Sequence, residues 1–252
     1  MESPRYRAAE IIDINLIDIT PKNGLAYDEI RTYSGTAHDN KCALRMDIST
    51  QLESVREFTS GWNVVSHEMF HLFQNGITNF KTSWLVEGTA TWAEFALRSG
   101  SFLSLDPFFT LPASRCDLED IVDNPTAGDS LRMWSRLVDL LDIEDSEIRI
   151  SDTILDLEYT DGRYVFKDTQ LRGASLIAAI FQTLDGEDDI VSHINSWPFH
   201  SWLEADQKSS FHNYRIFQLI KRVVSRYSVT DPELVDFVAA IDDFDNPSAP
   251  CF

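Results

Sequence analysis

The sequence predicts an α+β fold, and three observations carry that expectation. The segments Glu10–Thr20, Ala26–Tyr33 and Cys42–Ser49 are rich in Ile, Leu and Tyr and partly alternate apolar with polar residues, as strands do. From Ser60 onward the apolar spacing lengthens to that of a helix. The strand-like part precedes the helical part instead of interleaving with it, which is the order of an α+β chain and not of repeated βαβ units.

Taken in order, Pro21-Lys22-Asn23-Gly24 and residues Ser34–Lys41 supply turns between the three strands. The first helix is expected over Gly61–Asn75, with Gly76 as its stop, and the second from Ser83, as N-cap, to about Gly100. Further helices are expected over Ser130–Leu141, Arg172–Leu184, Ser210–Tyr227 and Asp231–Ile241. The last opens on Thr230 and Glu233 as a capping box, with Pro232 in its first turn. Thr153–Glu158 and Arg163–Phe166 read as a hairpin around Tyr159-Thr160-Asp161-Gly162. Asp185–Asp189 reads as a solvated helix start, its carboxylates near the positive end of the dipole. Phe211, Tyr214, Ile216, Phe217, Ile220, Val223 and Val224 follow helical spacing and are expected in the core. Trp197-Pro198-Phe199-His200-Ser201-Trp202 reads as a packed interhelical loop or, alternatively, the wall of a specificity pocket. The chain reads as one domain over residues 1–252: a strand region at 1–60, a helix pair at 61–100 and a mostly helical remainder at 101–252.

Composition bounds the function. The chain has 252 residues and is 43% hydrophobic, enough to bury a core, so wholesale disorder is excluded. With 21 Lys+Arg against 41 Asp+Glu its formal charge is −20, which would repel phosphate backbones and argues against nucleic-acid partners. No run approaches the roughly 18 consecutive apolar residues of a membrane span. MESPRYRAAEIIDINLID has no apolar core of signal-peptide type, so the chain reads as cytoplasmic or as a secreted protein whose leader has been removed. Cys42, Cys116 and Cys251 are too few and scattered for a disulfide framework or a thiolate metal site. They leave open one disulfide plus a free thiol, or three thiols.

The chemistry concentrates in His67-Glu68-Met69-Phe70-His71. At about 100° per residue, His67 and His71 lie about 40° apart and one turn above each other, so both imidazoles can grip one Zn²⁺. Glu68 lies beside the ligands, placed to take a proton from an activated water. Val65, Met69, Leu72, Trp62, Phe73 and Phe70 fall on the remaining arc and form the apolar stripe. The motif is followed by Trp84-Leu85-Val86-Glu87-Gly88-Thr89-Ala90-Thr91-Trp92-Ala93-Glu94. A helix returning beside the first could present Glu87, sixteen positions beyond His71, as third ligand. Two His and one Glu leave a fourth position open for water, the arrangement of a catalytic zinc. Thr91 and Glu94 share the stripe of Glu87 and could support the ligands from behind. Leu85, Val86, Trp92, Ala93, Ala96 and Leu97 face away from it.

Together the two motifs resemble the gluzincin peptidases, in which a His-Glu-x-x-His helix is followed by a helix bearing a glutamate ligand. Trp84-Leu85-Val86-Glu87-Gly88-Thr89-Ala90 is similar to the second-helix motif of the zinc aminopeptidases, and Val64–Glu94 as a block resembles a group of bacterial and archaeal metalloproteases. The resemblance is strong over about thirty residues. Downstream it is loose, resting on Arg172-Gly173-Ala174-Ser175-Leu176 and Asp185-Gly186. It implies one zinc ion held by His67, His71 and Glu87, with Glu68 as general base, and a zincin-like fold with a mixed N-terminal sheet. It also implies a peptide or protein substrate lying along an edge strand, for which Cys42–Ser49 is the candidate.

Three departures qualify it. No Gly-Ala-Met-Glu-Asn exopeptidase motif is present, so an endopeptidase is expected. The tyrosine those relatives place before the glycine of the later helix is here Gln170, which leaves the oxyanion donor open. Thr91 stands where thermolysin-like chains have an aspartate that orients a ligand. Tyr164 is favoured as donor over His193, His212 and Tyr214, although each has a plain structural reading: a strand residue, two surface histidines and a core aromatic. The alternative is a zinc-containing peptide-binding pseudoenzyme without turnover. Plain scaffolding has no positive signal.

Overall fold

The computed structural model describes residues 9–34, 39–54, 58–96, 109–124, 128–141, 150–158, 162, 164, 171–227, 229–244 and 251. The architecture is α+β, a mixed sheet followed by helices. The chain divides into two compact units, Met1–Asn79 and Phe80–Phe252.

The first unit contains strands β1 (Ile11–Ile17), β2 (Gly24–Ala26), β3 (Arg31–Thr32) and β4 (Cys42–Ser49), then helix α1 (Phe58–Ile77). The expected strand at Ala26–Tyr33 is in fact two short pieces, interrupted by a bend at Asp28-Glu29. β4 is central and not an edge: β1 pairs with it in parallel, and β2 and β3 pair with it antiparallel. The edge position that the resemblance implied for this strand is therefore not found, and Arg45 and Asp47 neutralise each other on the polar face of the sheet. Asp47 is 1% exposed and accepts from Arg45 Nε and Nη2 at 2.8 and 2.7 Å, Tyr27 Oη at 2.7 Å and Asn15 Nδ2 at 3.2 Å. Burial pushes its pKa up, but the Arg45 guanidinium, with Tyr27 and Asn15, outweighs burial and holds it below the usual aspartate value. The opposite face carries Leu44, Met46 and Ile48, which pack with Leu72, Val64, Val65 and Met69 of α1.

Helix α1 runs through Gly76, where the sequence predicted a stop, and ends at Ile77. Both residues are buried, and packing outweighs glycine's weak helix propensity. On the expected apolar stripe Leu72 is buried, whereas Phe73 is exposed and meets the Phe70 ring at a tilt, with centroids 5.4 Å apart. The side chain of Trp62 lies outside the described residues.

The second unit is helical. It contains α2 (Ser83–Ala96), α3 (Arg115–Asp123), α4 (Asp129–Leu141), the single turn α5 (Asp152–Leu155), α6 (Ala174–Asn195), the single turn α7 (Glu204–Gln207), α8 (Asn213–Val224) and α9 (Pro232–Asp243). α2 begins one residue before expected in its capping, since the Thr82 carbonyl accepts from Leu85 and Val86 N–H at 3.0 and 3.1 Å and Ser83 is already helical. Residues 97–100 lie outside the described residues. α3, with its Ser114–Asp117 capping box, had no apolar run long enough to announce it. The expected hairpin survives as one antiparallel bridge, Glu158 to Tyr164, while its first arm is the turn α5 capped by Ser151. Residues 163, 165 and 166 lie outside the described residues.

α6 continues past the expected end at Leu184 to Asn195, so the acidic run at Asp185–Asp189 lies inside a helix and not at its start. Glu187 and Asp188 are buried, and Glu187 accepts from Arg215 of α8. A carboxylate paired across two helices needs no helix dipole to tolerate burial. At α9 the cap is Asp231, whose side chain accepts from Glu233 N–H at 2.8 Å; the expected Thr230–Glu233 box does not form. Glu233 instead accepts from Leu111 N–H at 2.6 Å and Arg136 Nε at 2.9 Å. The Arg136 guanidinium holds its carboxyl below the usual glutamate value.

The core of this unit is aromatic. Trp84 stacks on Phe217 at 4.4 Å and lies parallel to Trp134 at 6.2 Å between ring centroids. Gly88 permits this: a Cβ there would lie 2.6 Å from Trp134 Cδ1. A second aromatic group packs Phe80, Trp197 and Trp202 around His212, while Pro198, Phe199, His200 and Ser201 between the two tryptophans are exposed. Phe211, expected in the core, is 81% exposed because it precedes α8 in a short 3-10 turn and not on the helix face.

His212 was expected at the surface and is buried. Its Nε2 donates to the Asp206 carbonyl at 3.0 Å, and Nδ1 has no hydrogen-bond partner among the described residues. Burial lowers its pKa below the ordinary histidine value; the Asp206 carbonyl opposes this and the Arg215 charge adds to it. The sign follows from linkage. The unfolded chain binds this proton more readily, so stability is fully present above about pH 6.5 and declines as pH falls below it. Urea midpoints at about pH 7 and about pH 5 should therefore fall further for the parent chain than for His212→Gln, which keeps the donor but does not titrate. Equal falls would refute this.

Cys116 of α3 and Cys251 form a disulfide, leaving Cys42 of β4 as the free thiol among the three. Of the two alternatives left open by the sequence, the structure has one bond and one thiol. Mass spectrometry after alkylation in denaturant should find one adduct per chain without reduction and three after it. Among the described residues no helix is long and apolar enough to cross a membrane.

Candidate metal centre

The site is built on α1. Helical spacing sets His67 and His71 one turn apart, and their rings meet edge to face with centroids 4.6 Å apart. Their Nε2 atoms converge to 3.0 Å. Two ligands at 2.0–2.1 Å from one tetrahedral ion are separated by about 3.3 Å, so little adjustment would let both imidazoles share one ion. The tautomer of His71 is fixed from behind. Its Nδ1 donates to Gln74 Oε1 at 2.6 Å, which leaves the Nε2 lone pair available as a ligand. Gln74 is buried and sits one turn beyond His71, so its amide has little freedom. Sequence reasoning assigned no role to Gln74. The signal was its i+3 spacing from a ligand histidine.

Glu87 is exposed on α2, on the stripe that also carries Ser83 and the half-buried Thr91 and Glu94. One ligand atom from each of His67, His71 and Glu87 lies within 4.8 Å of the other two, and this group could hold a metal ion. The donor set fits a borderline ion such as Zn²⁺: two neutral imidazoles and one carboxylate. Thr91 Oγ1 donates to the Glu87 carbonyl at 2.7 Å, closing a bond within its own helix.

Glu68, one residue after His67, is 7% exposed. It lies in the first unit beside β2, where its side chain occupies the space next to Gly24. Among the proposed oxyanion donors, Tyr164 is 55% exposed on its isolated bridge, His193 is exposed near the end of α6, His212 is enclosed by aromatic rings and Tyr214 is half-buried on α8. Gln170 lies outside the described residues. Gly173 has φ +78° at the start of α6, and a Cβ there would lie 2.5 Å from Val138 Cγ2, so backbone conformation and packing both account for the glycine in this later segment.

No protein-family model matches this chain, and no curated protein or solved structure matches it either. Fold and site together define an α+β chain with a two-histidine, one-glutamate group able to hold a metal ion.

Proposed function

We propose that this chain is a zinc-dependent peptidase of gluzincin type, cutting within peptide or protein chains. The observation that carries the reading is the convergence of His67 and His71 Nε2 to 3.0 Å, with His71 oriented by Gln74 and Glu87 near enough to join them. Bound zinc would polarise the scissile carbonyl and lower the pKa of water towards neutrality. His67, His71 and Glu87 would hold it and leave one position open. Glu68, beside the ligands on the same helix, would take the proton of the attacking water and deliver it to the leaving amine. Its near-complete burial keeps bulk water from competing for that carboxylate. The test compares the parent chain with Glu68→Gln, measuring bound metal and cleavage of an unfolded protein in parallel. Stoichiometric zinc without turnover in the parent would make the chain a binding module, and absence of zinc binding would remove the reading altogether.

A further inference from the structure

Gly24 opens β2, the short strand that pairs antiparallel with β4 through Gly24↔Ile48 and packs beside α1. A Cβ placed on Gly24 would lie 2.5 Å from both Cγ and Oε1 of Glu68 and 2.8 Å from its Cδ. Ordinary contact begins about 1 Å further out. Other glycines of the chain have different neighbours. Gly88 and Gly173 make room for the apolar side chains of Trp134 and Val138, and Gly186 faces open space. At Gly24 the space that a side chain would fill is taken by a carboxyl group.

We infer that Gly24 is a positioning residue for Glu68: the bare backbone of β2 forms the wall against which the Glu68 carboxyl is set. The inference rests on the peptidase reading above for its catalytic consequence, and on the contact alone for its physical content. Glutamate has three rotatable side-chain bonds, and a general base is useful only when its oxygen is held within hydrogen-bond reach of the proton it abstracts. A strand backbone on one side removes much of that freedom. The atoms that would collide with a new Cβ are the outer atoms of a flexible side chain, so the clash resolves by moving Glu68 and leaves β2 and α1 in place. The displacement needed is about 1 Å, which at a reacting group costs about 100-fold in rate.

Three measurements test this. Gly24→Ala should bind one zinc per chain, melt close to the parent and keep its KM, while kcat falls about 100-fold. In a Glu68→Ala background, which lacks the Cγ, Cδ and Oε1 that meet the new methyl, Gly24→Ala should lower the residual rate no further. The third measurement needs neither metal nor turnover. Gly24→Val should lower the urea midpoint of the parent, and should lower it less in a Glu68→Ala chain, where the colliding atoms are absent. Parent-like kcat in Gly24→Ala, loss of its zinc, or equal destabilisation by Gly24→Val in both backgrounds would overturn the inference. An inactive parent chain would overturn the peptidase reading and the catalytic consequence with it, and the stability coupling would still report the Gly24–Glu68 contact.

Discussion

A Glu68→Gln chain is expected to bind zinc as the parent does and to cleave an unfolded protein about 100- to 10,000-fold more slowly, the range attached to loss of a general base. The amide nearly matches the carboxyl in volume, so the fit against Gly24 survives and the fold should be unchanged. His67, His71 and Glu87, the proposed ligands, are untouched. What disappears is the capacity to accept a proton, and with it the transfer from water to leaving amine. The informative pairing is zinc content by elemental analysis against the rate on a casein-like substrate. Retained zinc with parent-like turnover would assign the proton to another group, and joint loss of zinc and activity would make Glu68 structural.

Trp84→Ala should be the most damaging single change in the second unit. The indole is 1% exposed, stacks on Phe217, lies parallel to Trp134 and donates from Nε1 to Asn213 Oδ1 at 2.9 Å. Truncation opens a cavity among aromatic rings and strands the Asn213 amide oxygen in the interior. Large-to-small changes of this kind cost about 3–5 kcal/mol, and an unsatisfied buried acceptor adds about 1–3 kcal/mol. Losses of that size rival the whole stability of a typical domain. The Trp84 carbonyl also accepts from Trp134 Nε1 at 3.2 Å, so α2 and α4 are tied at this point twice. Glu87 sits one turn further along α2, and a loosened α2 should weaken metal binding as well. Urea unfolding followed by tryptophan fluorescence, with zinc affinity measured alongside, checks both effects. A midpoint shift within error of zero would contradict the packing argument.

Much of the local structure was legible because its causes are local. The bounds of β4 follow from apolar residues between polar turns, and the convergence of His67 on His71 follows from helical geometry alone. The features that escaped depend on partners remote in sequence. Asp47 is an acidic residue on a strand, and its burial becomes intelligible only with Arg45, Tyr27 and Asn15 around it. Asp185–Asp189 looks solvated until Arg215 arrives from α8 to receive Glu187. Glu233 looks like half of a capping box, yet it serves Arg136, 97 positions away. In each case a polar residue follows its local rule only when no better partner reaches it across the fold. Gly24 and Gln74 are a different case: one reads locally as a turn residue and the other is marked only by its spacing from His71, and both gain their meaning from the side chain they touch.

The bond between Cys116 and Cys251 spans 135 positions and turns most of the second unit into a covalent ring. Chain-entropy arguments put the stabilisation from closing a loop of that length at about 5 kcal/mol. The ring has a topological consequence. A single backbone cut anywhere inside it linearises the ring without releasing a fragment, and the two pieces separate only when the sulfur–sulfur bond is reduced. For a protein proposed to cleave other chains, a stray cut in this region would add one water and leave the pieces joined in an oxidising solution, and they would part only in a reducing one.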